Sequence, residues 1–404
     1  MNRLPLSPVS RNIGFALALF LFAATSFAAT TTTKRKHHPT AAPRAVVHKA
    51  VAASIQTVGS SVPIRRAAVQ VSRPAAAPII AGGPWTEPTY ADSTLGDNVD
   101  GEDLEIRRTA VEALGEFNGS VVVVDPANGR VLTMVNQRIA LGSGFQPCST
   151  IKVSVALAGL SEKAIEPATK LRLGGMRMDL TYALAHSNNF YFATLGEKLG
   201  YERVSYYAHL FGYGEKAGLN IPGEQPGRYP SAPPRNGGVG MLTSFGEEIQ
   251  QTPLQLAALM SAVANGGTLY YLQYPRNQAE VQQFIPRVKR RLEIGDLIPV
   301  IKPGMRGAVE FGTAHRARED GPIAGKTGTC SENHTHLGWF GSFNDVGDHK
   351  LVVVVLLTGG RPAIGPVAAG IAGDIYRRLG ERNYFATSRP MTPATLISSQ
   401  ICCQ

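Results

Sequence analysis

No acidic residue occurs before Glu87, while the same stretch holds ten basic ones: Arg3, Arg11, Lys34, Arg35, Lys36, Arg44, Lys49, Arg65, Arg66 and Arg73. Removing those ten from the 40 Lys and Arg leaves 30, equal to the 30 Asp and Glu, so the net charge of +10 belongs to the N-terminal tail and the rest is balanced. A nucleic-acid partner, which needs a basic face on the folded part, is therefore not expected. Cysteine is scarce, four in 404 residues, and the chain is far too long for a small disulfide-knotted fold. No internal repeat is present, which excludes a solenoid or propeller. Length exceeds the usual domain range of roughly 100–200 residues, although one large α/β domain with tails would absorb it.

Long apolar runs are also few. Arg3 and Arg11 precede the run Ile13 to Ala24, and Ser26-Phe27-Ala28 supplies small residues at the spacing of a signal-peptidase site. Residues 1–29 read as a cleaved secretory signal, with an uncleaved anchor as the alternative, because a stretch ending near Ala29 is marginal for the ~20 residues that span a bilayer. Either reading exports the chain to a periplasm-like space and brings its N-terminus into contact with the membrane. Residues 30–98 are rich in Ala, Thr, Pro and basic residues and read as a disordered linker; the body is expected over 99–385, with a tail at 386–404.

The body opens with helical periodicity at Leu104, Ile106, Val111 and Leu114, stopped by Gly115. Two β-rich runs follow, Ser120 to Val124 and Arg130 to Val135, joined by the turn-rich Asp125-Pro126-Ala127-Asn128-Gly129. From Ser149 to Gly266 the pattern is helical: Val153 to Leu160, Leu180 to Leu199, Val204 to Phe211 and Pro253 to Asn265. Strands return at Gly325 to Cys330, His336 to Phe343 and Leu351 to Leu357, before a helix from Val367 to Leu379. Two early and three late strands around a helical insertion point to one sheet closed by distant segments.

Three motifs carry chemistry. Ser149-Thr-Ile-Lys152 enters the helix of Val153 to Leu160, and a three-residue offset puts Ser149 and Lys152 on one face, where an amine reaches the hydroxyl. A serine needs such a base, and free N–H groups at a helix start favour a developing oxyanion. Ser187-Asn188-Asn189 interrupts an apolar helical pattern; taken alone it reads as a cap or kink. Lys326-Thr327-Gly328-Thr329 opens a strand in which Thr327 and Thr329 face one way and Gly328 lets a ligand lie close to the backbone.

In this order the three resemble the motif set of penicillin-binding proteins and serine β-lactamases. The sequence resembles the transpeptidase domain of penicillin-binding proteins from about Gly119 to Leu379, with further matches at Val124 to Gly129, Phe211-Gly212-Tyr213-Gly214, Ile221 to Glu224, Thr252 to Ala257, Ala264 to Gly267 and Gly312-Thr313-Ala314. The resemblance implies a mixed α+β fold, β-lactamase/transpeptidase-like, with a five-stranded antiparallel sheet flanked by helices plus a helical subdomain. It implies a peptidoglycan D,D-transpeptidase or D,D-carboxypeptidase acting on D-alanyl-D-alanine stem peptides through a serine acyl-enzyme, inhibited by β-lactams and needing neither metal nor cofactor. By the same resemblance Ser149 is the nucleophile, Lys152 its base, Ser187 a proton relay and Lys326 the group that keeps Lys152 partly neutral. Asn189 orients the acyl donor, Thr327, Gly328 and Thr329 hold the substrate carboxylate, and the N–H groups of Ser149 and Thr329 form the oxyanion hole.

Three departures from the family pattern stand out: Cys148 before the serine, Glu247 where a Gln is expected, and a short segment between Ser149 and Ser187. Rival readings are a serine β-lactamase and a non-catalytic wall-binding module; the complete nucleophile set argues against the latter. Glu166 precedes Ser187, the wrong order for the deacylating carboxylate of class A β-lactamases. His334 and His336 have no neighbouring carboxylate or thiolate set and are expected to face solvent rather than bind zinc. Cys148 and Cys330 each adjoin a proposed oxyanion donor; two free thiols packed beside the site are expected, with a bridge as the alternative. No function is assigned to Cys402 and Cys403.

Overall fold

The computed structural model describes residues 86–319, 321–345, 349–362 and 364–386. The signal segment, residues 30–85 of the linker, and Cys402 and Cys403 lie outside them. Helix α1 (Leu104–Leu114) begins at Asp103, whose carboxylate accepts from the N–H groups of Glu105 and Ile106, and the chain then forms the hairpin β1 (Gly119–Asp125) and β2 (Arg130–Val135). Helix α2 (Gln137–Ala140) leads to a 3-10 turn, Cys148–Ile151, that runs into α3 (Lys152–Ser161). A small hairpin, β3 (Leu171–Leu173) and β4 (Met176–Met178), precedes α4 (Leu180–Ala185), α5 (Asn189–Leu199), α6 (Tyr201–Leu210), α7 (Gly238–Phe245) and α8 (Pro253–Ala264). Then come β5 (Thr268–Tyr270), α9 (Gln278–Gln282), β6 (Val288–Arg291) and α10 (Ile298–Glu310). The long strands β7 (Ile323–Glu332), β8 (Thr335–Asn344) and β9 (Val352–Gly359) are followed by α11 (Gly365–Glu381).

The main sheet has the order β2-β1-β9-β8-β7 and is antiparallel throughout, so the two early strands join the three late ones through β1 and β9, with Val121 opposite Val355. Val122 and Val124 face a core shared with α3 and α8, whereas Val121 and Val123 face one shared with α1 and α11. Burial on both faces explains why β1 and β9 read as unbroken valine runs rather than alternating patterns. Helix α8 is buried along its whole length, and Thr252 and Gln255 close its first turn as a reciprocal capping box.

Residues 86–98, placed by composition at the end of the linker, are folded. Thr86 donates its N–H to His334 O at 3.1 Å, Asn118 N–H bonds Thr89 O at 2.9 Å, and Asp97 pairs with Arg107 at 2.7 Å. The helical pattern from Leu180 to Leu199 is two helices broken at Ser187-Asn188-Asn189, the stretch that reads as a cap or kink: Ser187 takes a left-handed backbone (φ +54°) and Asn188 caps α5 by accepting from Tyr191 N–H. Helix α10 hides its apolar stripe Ile298, Ile301, Met305 and Ala308 among Pro299, Pro303, Gly304 and Gly307, which read as helix breakers.

Candidate active site

The candidate nucleophile, Ser149, sits on a clamped turn. Phe145 and Gln251 exchange backbone hydrogen bonds at 2.9 and 2.8 Å. Gln146 N–H donates to Glu332 Oε2 at 2.9 Å, and Gln146 O accepts from the buried Trp339 Nε1 at 2.9 Å. Thr150 Oγ1 closes the turn onto Pro147 O at 2.8 Å. Cys148 then adopts φ +51°, a region L side chains rarely occupy, and Ser149 follows, 8 % exposed, in the 3-10 turn at the start of α3.

Lys152 Nζ lies 3.0 Å from Ser149 Oγ, as the three-residue spacing predicts. The same amine contacts Ser187 O at 2.8 Å, Ser187 Oγ at 3.1 Å and Asn189 Oδ1 at 2.6 Å. A neutral amine satisfies this set: its two N–H groups serve Ser187 O and Asn189 Oδ1, and its lone pair is left for the serine proton. Burial, reinforced by the charge of Lys326, lowers the Lys152 pKa to about 6. Lys326, fully buried on β7, donates to Ser187 Oγ at 2.8 Å and to Thr327 O at 2.9 Å, and burial lowers its pKa to about 7. Among the described residues no carboxylate hydrogen-bonds to either amine.

The opposite wall is β7, the edge strand of the sheet, so alternate N–H groups along it have no ladder partner. Thr327 is buried with its hydroxyl 2.6 Å from that of Thr313, while Thr329 is exposed on the same face. A Cβ at Gly328 would stand 2.8 Å from Pro147 O and 3.2 Å from Thr150 Cγ2, so only glycine lets the strand lie this close to the nucleophile turn. Cys148 and Cys330 are joined by a disulfide with Cα atoms 5.6 Å apart. This corrects the expectation of two free thiols: the close approach at Gly328 brings the two segments to bridging distance. Thr313 is held by Ala185, whose carbonyl accepts from Thr313 N–H at 3.1 Å. Behind it α10 packs backbone to backbone on α4, where a Cβ at Gly304 would stand 2.7 Å from Leu184 Cβ and 3.0 Å from Thr181 O.

The structure thus brings Ser149, Lys152, Ser187, Asn189, Lys326, Thr327, Gly328 and Thr329 around one cleft. Other residues stand apart from it. Glu166 is exposed beyond the far end of α3, roughly 15 Å of helix from the nucleophile. Glu247 accepts from Gln146 Nε2 at 3.1 Å and so braces the nucleophile turn from outside. His334 is exposed in the β7–β8 turn and His336 Nδ1 lies 2.6 Å from Ser331 Oγ; among the described residues no cluster of three metal-ligating side chains occurs. Sequence reasoning assigned no role to Thr313, Glu332 or Trp339. Gly312-Thr313-Ala314 was a usable signal for the first; the other two reach Gln146 across more than 180 residues of sequence.

The model of the penicillin binding protein transpeptidase domain matches residues 119–377. The chain is 29% identical over 312 residues to stage V sporulation protein D of Bacillus subtilis, covering 63% of this chain and 48% of that protein. It is 25% identical over 367 residues to the peptidoglycan D,D-transpeptidase MrdA of Haemophilus influenzae, covering 68% and 55%. The chain spans about half the length of the curated relatives it matches. In fold it is similar to Pseudomonas aeruginosa PBP2 solved with WCK 5153 (TM-score 0.60, 24% identity, 69% of this chain and 74% of that one). It is equally similar to the TP domain of Burkholderia pseudomallei penicillin-binding protein 3 (TM-score 0.60, 20% identity, 72% and 98%).

Proposed function

The chain belongs to the penicillin-binding protein transpeptidase family, and on that premise we propose that it is a serine D,D-transpeptidase that cross-links peptidoglycan stem peptides. The observation that carries this reading is the contact of a buried, depressed-pKa amine, Lys152 Nζ, with Ser149 Oγ at 3.0 Å. Ser149 Oγ attacks the carbonyl carbon of the D-alanyl-D-alanine bond while its proton passes to Lys152 Nζ. The backbone N–H groups of Ser149 and Thr329 stabilise the oxyanion. As the C–N bond breaks, the proton travels through Ser187 Oγ, which contacts both amines, to the departing D-alanine nitrogen. Lys326, Thr327 and Thr329 receive the terminal carboxylate, and Asn189 orients the acyl donor. An acceptor amine then attacks the ester and the steps reverse; with water in its place the product is that of a D,D-carboxypeptidase. A β-lactam enters the same path, but its leaving nitrogen stays tethered.

This substrate lies outside the cytoplasmic membrane, which supports reading the N-terminal segment as an export signal or anchor and the protein as exported, to a periplasm or the outer face of the inner membrane. Among the described residues no helix is long and apolar enough to cross a membrane. The test is incubation with a labelled penicillin followed by intact-mass measurement. A single adduct that disappears in Ser149→Ala is expected; labelling that survives the substitution overturns the reading.

A further inference from the structure

The Cys148–Cys330 bridge joins the residue before one proposed oxyanion donor to the residue after the other. Both halves of that hole therefore adjoin one covalent link between segments 182 residues apart. The peptide unit between Cys148 and Ser149 carries the Ser149 N–H, and the backbone angles of Cys148 decide where it points. Those angles lie in the left-handed region, φ +51°, where an L side chain is crowded. The fold does not depend on the bridge to bring the segments together. Glu332 on Gln146 N–H at 2.9 Å, Trp339 Nε1 on Gln146 O at 2.9 Å and the Gly328 approach to Pro147 already do so. What these contacts leave free is the rotation at Cys148 itself, whose side chain is fully buried and whose sulfur is the bridge.

We propose that Cys148 and Cys330 are positioning residues for acyl transfer: their disulfide holds the Cys148 backbone left-handed and so aims the Ser149 N–H at the point served by Thr329 N–H. This rests on the functional reading above and adds to it a dependence of catalysis on the oxidised state of one bridge. Since a bridge also restricts the unfolded chain, its effect on melting temperature is expected under any role, and the informative quantity is the acylation step.

The experiment follows single-turnover acylation by a chromogenic cephalosporin, separating its dissociation constant from the acylation rate constant. It uses the parent protein, Cys330→Ala, and the doubles Cys148→Ala/Cys330→Ala and Cys148→Gly/Cys330→Ala, each checked for fold by circular dichroism. Cys330→Ala and the Ala double are expected to lose roughly ten- to a hundredfold in the rate constant, the scale of a misdirected catalytic group, with binding changed less than about twofold. The Gly double, which tolerates positive φ without a tether, is expected to recover at least about fivefold over the Ala double. Should a variant fail to fold, the parent is compared before and after treatment with dithiothreitol, whose two thiols are oxidised to a cyclic disulfide as the bridge takes up two electrons and two protons. Cys330 is half-buried and gives the reagent its entry. An unchanged rate constant after bridge loss, or a Gly double no faster than the Ala double, overturns the proposal while leaving the functional reading intact. Absence of any acylation in the oxidised parent overturns both.

Discussion

Lys152 Nζ and Lys326 Nζ, both fully buried, converge on the same hydroxyl, Ser187 Oγ, at 3.1 and 2.8 Å. Two cations held on one oxygen repel, and burial penalises each charge, so near neutral pH the pair does not keep both protons. The proposed relay shares one proton among two amines and a hydroxyl, and its titration governs the chemistry proposed for the site.

Only the neutral form of Lys152 accepts the serine proton, so the acylation rate constant should rise with pH through a limb near 6, where burial and the Lys326 charge have brought its pKa. Removing that charge in Lys326→Met lets the Lys152 pKa climb, and the limb should move to higher pH. A pH–rate profile of acylation for both proteins checks this; a limb that stays put or moves down contradicts it.

Ser187→Ala keeps the backbone contact of Lys152 with Ser187 O at 2.8 Å but disconnects the two amines. Acylation should fall roughly 10²–10⁴-fold, the usual contribution of a positioned proton-transfer group, with an unchanged thermal transition. Stopped-flow acylation and calorimetry on the same sample decide it.

Neighbouring asparagines should separate cleanly. Asn188 caps α5 through Tyr191 N–H at 2.8 Å, so Asn188→Ala should cost about 1 kcal/mol of stability and leave acylation within twofold. Asn189, 2.6 Å from Lys152 Nζ, should show the opposite pattern in Asn189→Ala. Urea melts paired with acylation rates test both halves.

The acyl-enzyme formed with a penicillin should persist for hours. Glu166 lies beyond the far end of α3 and Glu247 is engaged with Gln146 Nε2, so neither is positioned as the deacylating carboxylate of a class A β-lactamase. Each tenfold slowing of deacylation reflects only about 1.4 kcal/mol of missing stabilisation, so one absent base accounts for a long lifetime. Mass spectra over time should show the same decay for the parent and Glu247→Gln; rapid turnover lost in the variant would instead make Glu247 the base.

Local patterns foretold much of this architecture. Valine runs announced β1 and β9, the Ser-x-x-Lys spacing announced the Lys152–Ser149 contact, and the count of two early and three late strands matched the sheet. What escaped depends on contacts that no window contains. The order of residues 86–98 comes from backbone groups near Phe117 and His334. The bridge was undecidable from spacing, because its geometry is set by how closely Gly328 lets β7 approach Pro147.

The glycine-lined seam between α4 and α10 fixes a dimension of the cleft. Ser187 lies two residues beyond α4 and Thr313 three beyond α10, so the Ser187 end and the Thr313 end of the cleft are mounted on one strut that cannot spread without breaking backbone contact at Gly304. A randomised library at Gly304 should return only small residues among active clones. Any effort to widen the range of accepted substrates has to begin instead at exposed side chains such as Phe190, 76% exposed and next to Asn189 in sequence.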